Sequence, residues 1–98
     1  MYMSREVFHC KPGRAKAIVA MFKKMGPLMA ARGFPPVRIY TDVSAEQYWT
    51  VVLEQDVESI DGLAEMARST MSDPEMEAIF KDYHEHVIGG RRELYKVE

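Results

Sequence analysis

One cysteine, one tryptophan, no asparagine and little net charge characterise these 98 residues, and the gaps exclude whole classes of chemistry. Cys10 alone gives no intrachain disulfide, no cysteine-rich zinc site and no Cys-x-x-Cys redox pair. No apolar run approaches the roughly 20 residues that cross a bilayer. The opening residues Met1-Tyr2-Met3-Ser4-Arg5-Glu6 carry charge where a secretory leader needs an apolar segment. A formal charge of −2 exerts no long-range pull on nucleic acid or anionic lipid. The expectation is a soluble cytoplasmic protein with no cofactor and no metal. Its length suits a single domain, residues 1–98, with one core. A chain this short buries only about two-thirds of its unfolded surface, so a subunit interface would add what the core lacks.

What is present is organised around residues 37–55. Val37-Arg38-Ile39-Tyr40-Thr41 and Tyr48-Trp49-Thr50-Val51-Val52-Leu53 are rich in β-branched and aromatic side chains, and Asp42 and Ser44 between them supply turn chemistry. The stretch reads as a β-hairpin. Residues 2–10 read as a first strand, broken by Lys11-Pro12-Gly13. Ala15, Ile18, Phe22, Met25 and Met29 recur at steps of three and four, the spacing of one helical face. Pro27 has no N–H for the carbonyl of Lys23, so a kink, or a break and restart, is expected there. Gly33 is the expected stop for that helix.

After the hairpin, Ser59 is the expected cap of a second helix, with Asp61 in its first turn. Asp73-Pro74 marks a fresh start, Asp73 capping and Pro74 in the first helical position. The renewed stripe is Met76, Ile79, Phe80, Tyr83 and Val87. Gly89-Gly90 is read as the end of the helical region, and Glu93-Leu94-Tyr95-Lys96-Val97 as the last strand. The order β-α-β-β-α-β predicts an α+β ferredoxin-like fold, a four-stranded antiparallel sheet with helices on one face. Trp49, Val51 and Leu53 alternate with Tyr48, Thr50, Val52 and Glu54, so neither side of this run reads as fully solvated and the uncovered face is expected to be a sizeable apolar patch. A homodimer that packs two open sheet faces together would cover it.

With these elements in place, the chain resembles the dimeric α/β barrel superfamily, and within it the NIPSNAP-like and antibiotic-biosynthesis-monooxygenase-like small proteins. The resemblance rests on the element order, on Lys11-Pro12-Gly13-Arg14 entering the first helix, and on residues 48–59 leading into the second. Ser72-Asp73-Pro74-Glu75 and Arg92-Glu93-Leu94-Tyr95 also fit. It implies a dimer of two sheets packed face to face and, in many members, a pocket between sheet and helices. The activities of such proteins are diverse, so the fold does not choose among them. The tail Tyr83-His84-Glu85-His86-Val87 resembles that of the haem-degrading monooxygenases, whose site also needs an asparagine. This chain has none, and no haem ligand is carried over.

Candidate site residues follow from side-chain chemistry. His9 and His84 are the candidate proton acceptors, because histidine alone among these side chain types titrates near neutrality. Tyr40, Trp49, Tyr83 and Arg38 are the candidate ligand-binding residues, and one pocket is expected between the sheet and the second helical region, near Trp49 and one of His9 or His84. The plain alternatives are core or interface packing for Tyr40 and Trp49, and a structural or surface role for His9. Arg5, Arg38 and Glu54 read as partners in structural salt bridges across the sheet, since a buried charge needs a partner. His84 and His86 stand two apart, on nearly opposite sides of a helix, and so do not make a metal pair. Cys10 reads as an inert packing thiol.

Three function classes compete: a small-molecule-binding dimer, a cofactor-independent monooxygenase-type enzyme acting on a small aromatic or carbonyl compound, and an RNA-binding module of the same element order. The third is excluded by charge and by residues 48–55, which lack the Lys/Arg-Gly-Phe/Tyr-Gly/Ala-Phe-Val pattern. Acylphosphatase-like chemistry on this topology also needs the missing asparagine. The preferred expectation is the small-molecule-binding homodimer, with no nucleic acid and no membrane among its partners.

Overall fold

The computed structural model describes residues 1–98. They form β1 (Tyr2–Cys10), α1 (Ala15–Ala31), β2 (Val37–Thr41), β3 (Thr50–Val57), α2 (Ile60–Met71), α3 (Pro74–Ile79), the single turn α4 (Tyr83–His86) and β4 (Val87–Lys96). The strands make one antiparallel sheet in the order β2-β3-β1-β4, and the helices pack on one of its faces. This is the expected α+β ferredoxin-like arrangement. At 35 × 34 × 18 Å the molecule is a slab two layers thick, so the second sheet face is bare. No helix is long and apolar enough to cross a membrane.

Local chemistry sets the helices. The predicted stripe Ala15, Ile18, Phe22, Met25 and Met29 is the buried face of α1, packed against Val51, Val57 and Cys10 of the sheet. Of the kink or break expected at Pro27, the break does not occur, since the helix runs through that position. Lys23 and Pro27 both lie on the exposed side, so water can reach the carbonyl that loses its partner. The helix then ends as anticipated at Gly33, whose φ of 77° is left-handed. Phe34 N–H donates to the Met29 carbonyl and Gly33 N–H to that of Ala30, the Schellman pattern. Ser59 Oγ accepts from Gly62 N–H at 2.9 Å, and Asp73 Oδ1 accepts from Glu75 N–H at 2.8 Å, so both predicted caps form. Asp73 also pairs with Arg32, which ties the end of α1 to the start of α3.

Three further expectations are corrected. Tyr48 and Trp49 are not strand residues, because β3 begins at Thr50. Asp42 closes the loop before them: its N–H donates to the Thr50 carbonyl at 3.2 Å and its Oδ1 accepts from Thr50 N–H at 2.8 Å. Trp49 is held at φ 60°, the one non-glycine residue in the left-handed region, and its carbonyl accepts from Cys10 N–H at 2.9 Å.

The second correction concerns Gly89-Gly90, which lies inside β4 rather than ending a helix. Gly90 pairs with Phe8, and a Cβ there would collide with the carbonyl oxygen of Val7. Glycine is what lets β4 lie this close to β1.

The third concerns the open face, where strand alternation places Arg5, Val7 and His9 of β1 beside Arg38 and Tyr40 of β2, Val52, Glu54 and Asp56 of β3, and Arg91, Glu93 and Tyr95 of β4. It is surfaced by paired charge and not by an apolar patch. The alternation that puts Val51 and Leu53 under the helices turns Glu54 and Asp56 outward.

Candidate functional site

Glu54 is the hub of the open face. Arg5 Nε donates to its Oε2 at 2.8 Å, Tyr40 Oη donates to its Oε1 at 3.1 Å, and Arg38 Nη2 lies 3.5 Å from that same oxygen. Arg38 also reaches Asp56 at 3.2 Å, and Arg91 Nε donates to Glu93 at 3.2 Å. Burial pushes the Glu54 carboxyl upward, but the hydrogen bonds from Arg5 and Tyr40 hold it below the usual carboxylate range. The hydrogen bond from Arg91 outweighs burial and holds Glu93 low as well. Hydrogen bonding to Asp56, then to Tyr40, raises Arg38 further above its already high value.

Beside this lattice lies an open cleft of about 290 Å³, with Arg5, His9, Tyr40, Gln47, Thr50 and Arg91 among its walls. Thr50 Oγ1 donates its proton to the Gln47 carbonyl at 2.8 Å. It is therefore an acceptor in its 3.4 Å contact with His9 Nδ1. In the neutral ring this puts the proton on Nδ1 and leaves the lone pair on Nε2.

A second hollow lies on the other side of the sheet, between it and the helices. Its volume is about 230 Å³, and Met25, Met29, Leu53, Leu63 and Met66 supply apolar walls. Ser4 and Gln55 also line it. They face each other on β1 and β3 and are only 8% and 6% exposed. At one flank the ion pair Arg92–Glu6 closes at 2.6 Å. A buried serine and glutamine among methionines and leucines are unusual enough to require a reason.

No protein-family model matches the chain, and no curated protein matches it in sequence. Solved structures do match in fold. A NIPSNAP domain protein from Burkholderia xenovorans superposes with a TM-score of 0.83 at 12% identity, over 100% of this chain and 95% of that one. A NIPSNAP family protein from Agrobacterium tumefaciens gives 0.82 at 11% identity, over 99% and 92%. An antibiotic biosynthesis monooxygenase gives 0.74 at 9% identity, over 100% and 99%. The fold is that of the NIPSNAP-domain proteins. The monooxygenase shares it, and at these identities the likeness speaks for fold alone.

On this NIPSNAP frame the predicted site residues fall into separate places. His9 and Tyr40 meet in the open-face cleft, with Arg38 adjoining through Glu54. Trp49 stands apart, in a separate hollow of about 480 Å³ with Lys16, Val19 and Tyr48 near the start of α1. Tyr83 belongs to an aromatic cluster, edge-on to Phe8 at 6.1 Å and to Phe80 at 6.4 Å between ring centres. Burial, followed by Glu6 and Cys10, raises its pKa. His84 is exposed and packs on the Tyr83 ring, while His86 Nδ1 lies 3.2 Å from Arg14. The expected gathering of Trp49 with His9 or His84 in one pocket does not occur, because Trp49 leaves the strand. The thiol of Cys10 is buried, and burial and then Asp42 push its pKa up, which suits an inert thiol.

Sequence reasoning passed over Ser4 and Gln55. One signal was available: Val51, Leu53, Gln55 and Val57 are alternate residues of one strand, and a single amide interrupts that otherwise apolar row.

Proposed function

We propose that this chain, a single domain over residues 1–98, is a cytoplasmic homodimeric small-molecule-binding protein. It holds its ligand in the hollow between the sheet and the helices. The observation that carries this reading is the pairing of Ser4 with Gln55, two buried polar side chains on the floor of a methionine-lined cavity. Pockets that bind small molecules combine apolar walls with a few placed polar groups in this way.

The dimer is proposed through the open sheet faces. Only 14 of 98 residues are buried and none of them lies on β4, so the chain alone leaves its outer strand without a fully buried residue. The rows of Arg5, Glu54, Arg38, Glu93 and Arg91 alternate in sign, and such a surface can complement a second copy of itself. An interface of this obligate kind buries on the order of 2,000 Å² or more. Native mass spectrometry of the purified protein tests both halves: the expected species is a dimer carrying a small-molecule adduct. A stable monomer at micromolar concentration in sedimentation would overturn the assembly, and an empty cavity that takes up no small aromatic compound would overturn the binding role.

A second reading is favoured by one observation, the commitment of the Thr50 proton to Gln47. That leaves His9 with a free Nε2 in the open-face cleft, beside Tyr40 and close to Arg38. In this reading His9 takes a proton from a small aromatic or carbonyl substrate held by Tyr40 and Arg38, in a cofactor-independent oxygenation. His9→Gln should then lose roughly a hundredfold or more in rate with the fold intact. In the binding reading the same change, on the opposite face of the sheet from the cavity, leaves ligand affinity unchanged.

A further inference from the structure

We infer that the cavity between the sheet and the helices selects an uncharged molecule of one or two rings bearing a hydroxyl group, and rejects the corresponding carboxylate. The inference rests on the proposal that this cavity is the ligand site, and it names the class of ligand from the hydrogen-bonding capacity left open there.

Gln55 Nε2 donates to the Pro35 carbonyl at 2.6 Å. A carbonyl only accepts, so this bond fixes the orientation of the amide and leaves Oε1 as an acceptor without a protein partner. Ser4 Oγ forms no side-chain hydrogen bond within the chain, and its residue is 8% exposed. The two stand on directly opposed positions of β1 and β3. The floor of the cavity thus offers the Gln55 Oε1, which only accepts, the second N–H of the same amide, and the Ser4 hydroxyl, which both donates and accepts.

A hydroxyl matches the two oxygens. It donates its proton to Gln55 Oε1 and accepts that of Ser4. A ketone oxygen would accept from Ser4 or from the second Gln55 N–H and leave Gln55 Oε1 unpaired, whereas an aryl amine, its lone pair drawn into the ring, would donate to Oε1 and offer the Ser4 proton only a weak acceptor. A carboxylate is disfavoured more strongly. It would set a charge against Gln55 Oε1 in an apolar chamber whose own carboxylate, Glu6, lines the same wall. The cation at that flank, Arg92, is already engaged by Glu6 at 2.6 Å.

Size comes from the volume. At about 230 Å³ the hollow falls below the range of roughly 300–1,000 Å³ that holds drug-sized ligands, which suits an occupant of one or two rings. Met25, Met29 and Met66 give it walls that re-pack around a ring and make favourable sulfur–aromatic contacts.

The test titrates the full chain by calorimetry with three probes of one shape: 2-naphthol, 2-methylnaphthalene and 2-naphthoate. The expected result is that 2-naphthol binds about tenfold to a hundredfold more tightly than the other two, the range for one or two hydrogen bonds made in a largely buried site. Ser4→Ala, which removes one atom from a strand position that bonds to no other side chain, should bring 2-naphthol down towards 2-methylnaphthalene and leave the latter unchanged. Labelled methionine methyl groups of Met25, Met29 and Met66 should shift on binding. Equal affinities for the naphthol and the methyl compound, a preference that survives Ser4→Ala, or tighter binding of the naphthoate would each overturn the hydroxyl assignment while leaving the cavity a ligand site. Failure of all three probes to bind, or binding that leaves those methionines unmoved, would overturn the cavity reading and this inference with it.

Discussion

Arg5 and Glu54 stand opposite each other on β1 and β3, and Glu54 Oε2 receives both Nε and Nη2 of Arg5 at 2.8 Å. Tyr40 and Arg38 converge on the other carboxylate oxygen, and Glu93 lies 3.8 Å from Arg5 on the far side. The open face is therefore cross-linked over all four strands by charge. That is a different kind of surface from an apolar dimer face, and it has a different sensitivity.

The sensitivity is to acid. Glu54 and Glu93 are both held below the ordinary carboxylate range in the folded chain. A depressed folded-state pKa contributes stability that is fully present above the unfolded carboxylate value and is lost as the pH falls through the folded one. Stability to urea should hold between pH 7 and about 5 and fall below the ordinary carboxylate pKa of about 4. Glu54→Gln should be less stable at pH 7 and lose less on acidification. Parallel curves for the two proteins would remove Glu54 from the account.

Replacing Pro27 with Ala should stabilise α1. The helix is continuous through this position, so alanine meets helical backbone and restores the N–H that the Lys23 carbonyl lacks. Proline inside a helix costs about 3 kcal/mol, and its stiffening of the unfolded chain returns up to about 1 kcal/mol. A gain of about 2 kcal/mol in chemical denaturation is expected. A loss would mean that the helix is shaped around the proline ring.

What was legible in the sequence was what depends on neighbours along the chain. The α1 stripe, the Gly33 stop and the Ser59 and Asp73 caps each rest on residues within one or two turns, and each stands where the residue types placed it. Pairing across the sheet is set by residues far away. Whether Trp49 extends a strand is decided by the Asp42–Thr50 closure, and whether Gly90 ends a helix or lies in a strand is decided by Val7 of β1. The same limit hid the polar groups that line the two hollows. Ser4 is an unremarkable strand serine until the register sets it opposite Gln55, and His9 is a lone histidine until Thr50 fixes its tautomer.

Asp73 does two jobs that substitution can separate. It caps α3 through Glu75 N–H and pairs with Arg32 beyond the end of α1. Asp73→Asn keeps an accepting oxygen for the cap and removes the charge, while Asp73→Ala removes both. The alanine variant should lose about 1–2 kcal/mol, near the upper range for a cap, and the asparagine variant markedly less. In an Arg32→Ala background the effect of Asp73→Asn should shrink. If the two variants lose equally in the natural background, the ion pair and not the cap carries the effect.

The last expectation concerns the docking of β4 on β1. Gly89 and Gly90 are adjacent, both in β4, and both would be expected to tolerate alanine if they were merely flexible. Their surroundings differ. A Cβ at Gly89 meets nothing within 4 Å, whereas one at Gly90 runs into the Val7 carbonyl oxygen and crowds the Phe8 backbone. Backbone atoms cannot turn aside as a side chain can, so relief requires β4 to move away from β1 where Gly90 pairs with Phe8. Overpacking of this kind costs about 1–3 kcal/mol. Alanine restricts the unfolded chain more than glycine does, which offsets only about 0.4–1 kcal/mol of that cost. Gly90→Ala should therefore lower the denaturation midpoint and speed amide exchange along β4, while Gly89→Ala stays within about 0.5 kcal/mol of the natural chain. Equal stability of the two variants would show that β4 shifts freely, and that glycine at position 90 is not what holds the edge strand against the sheet.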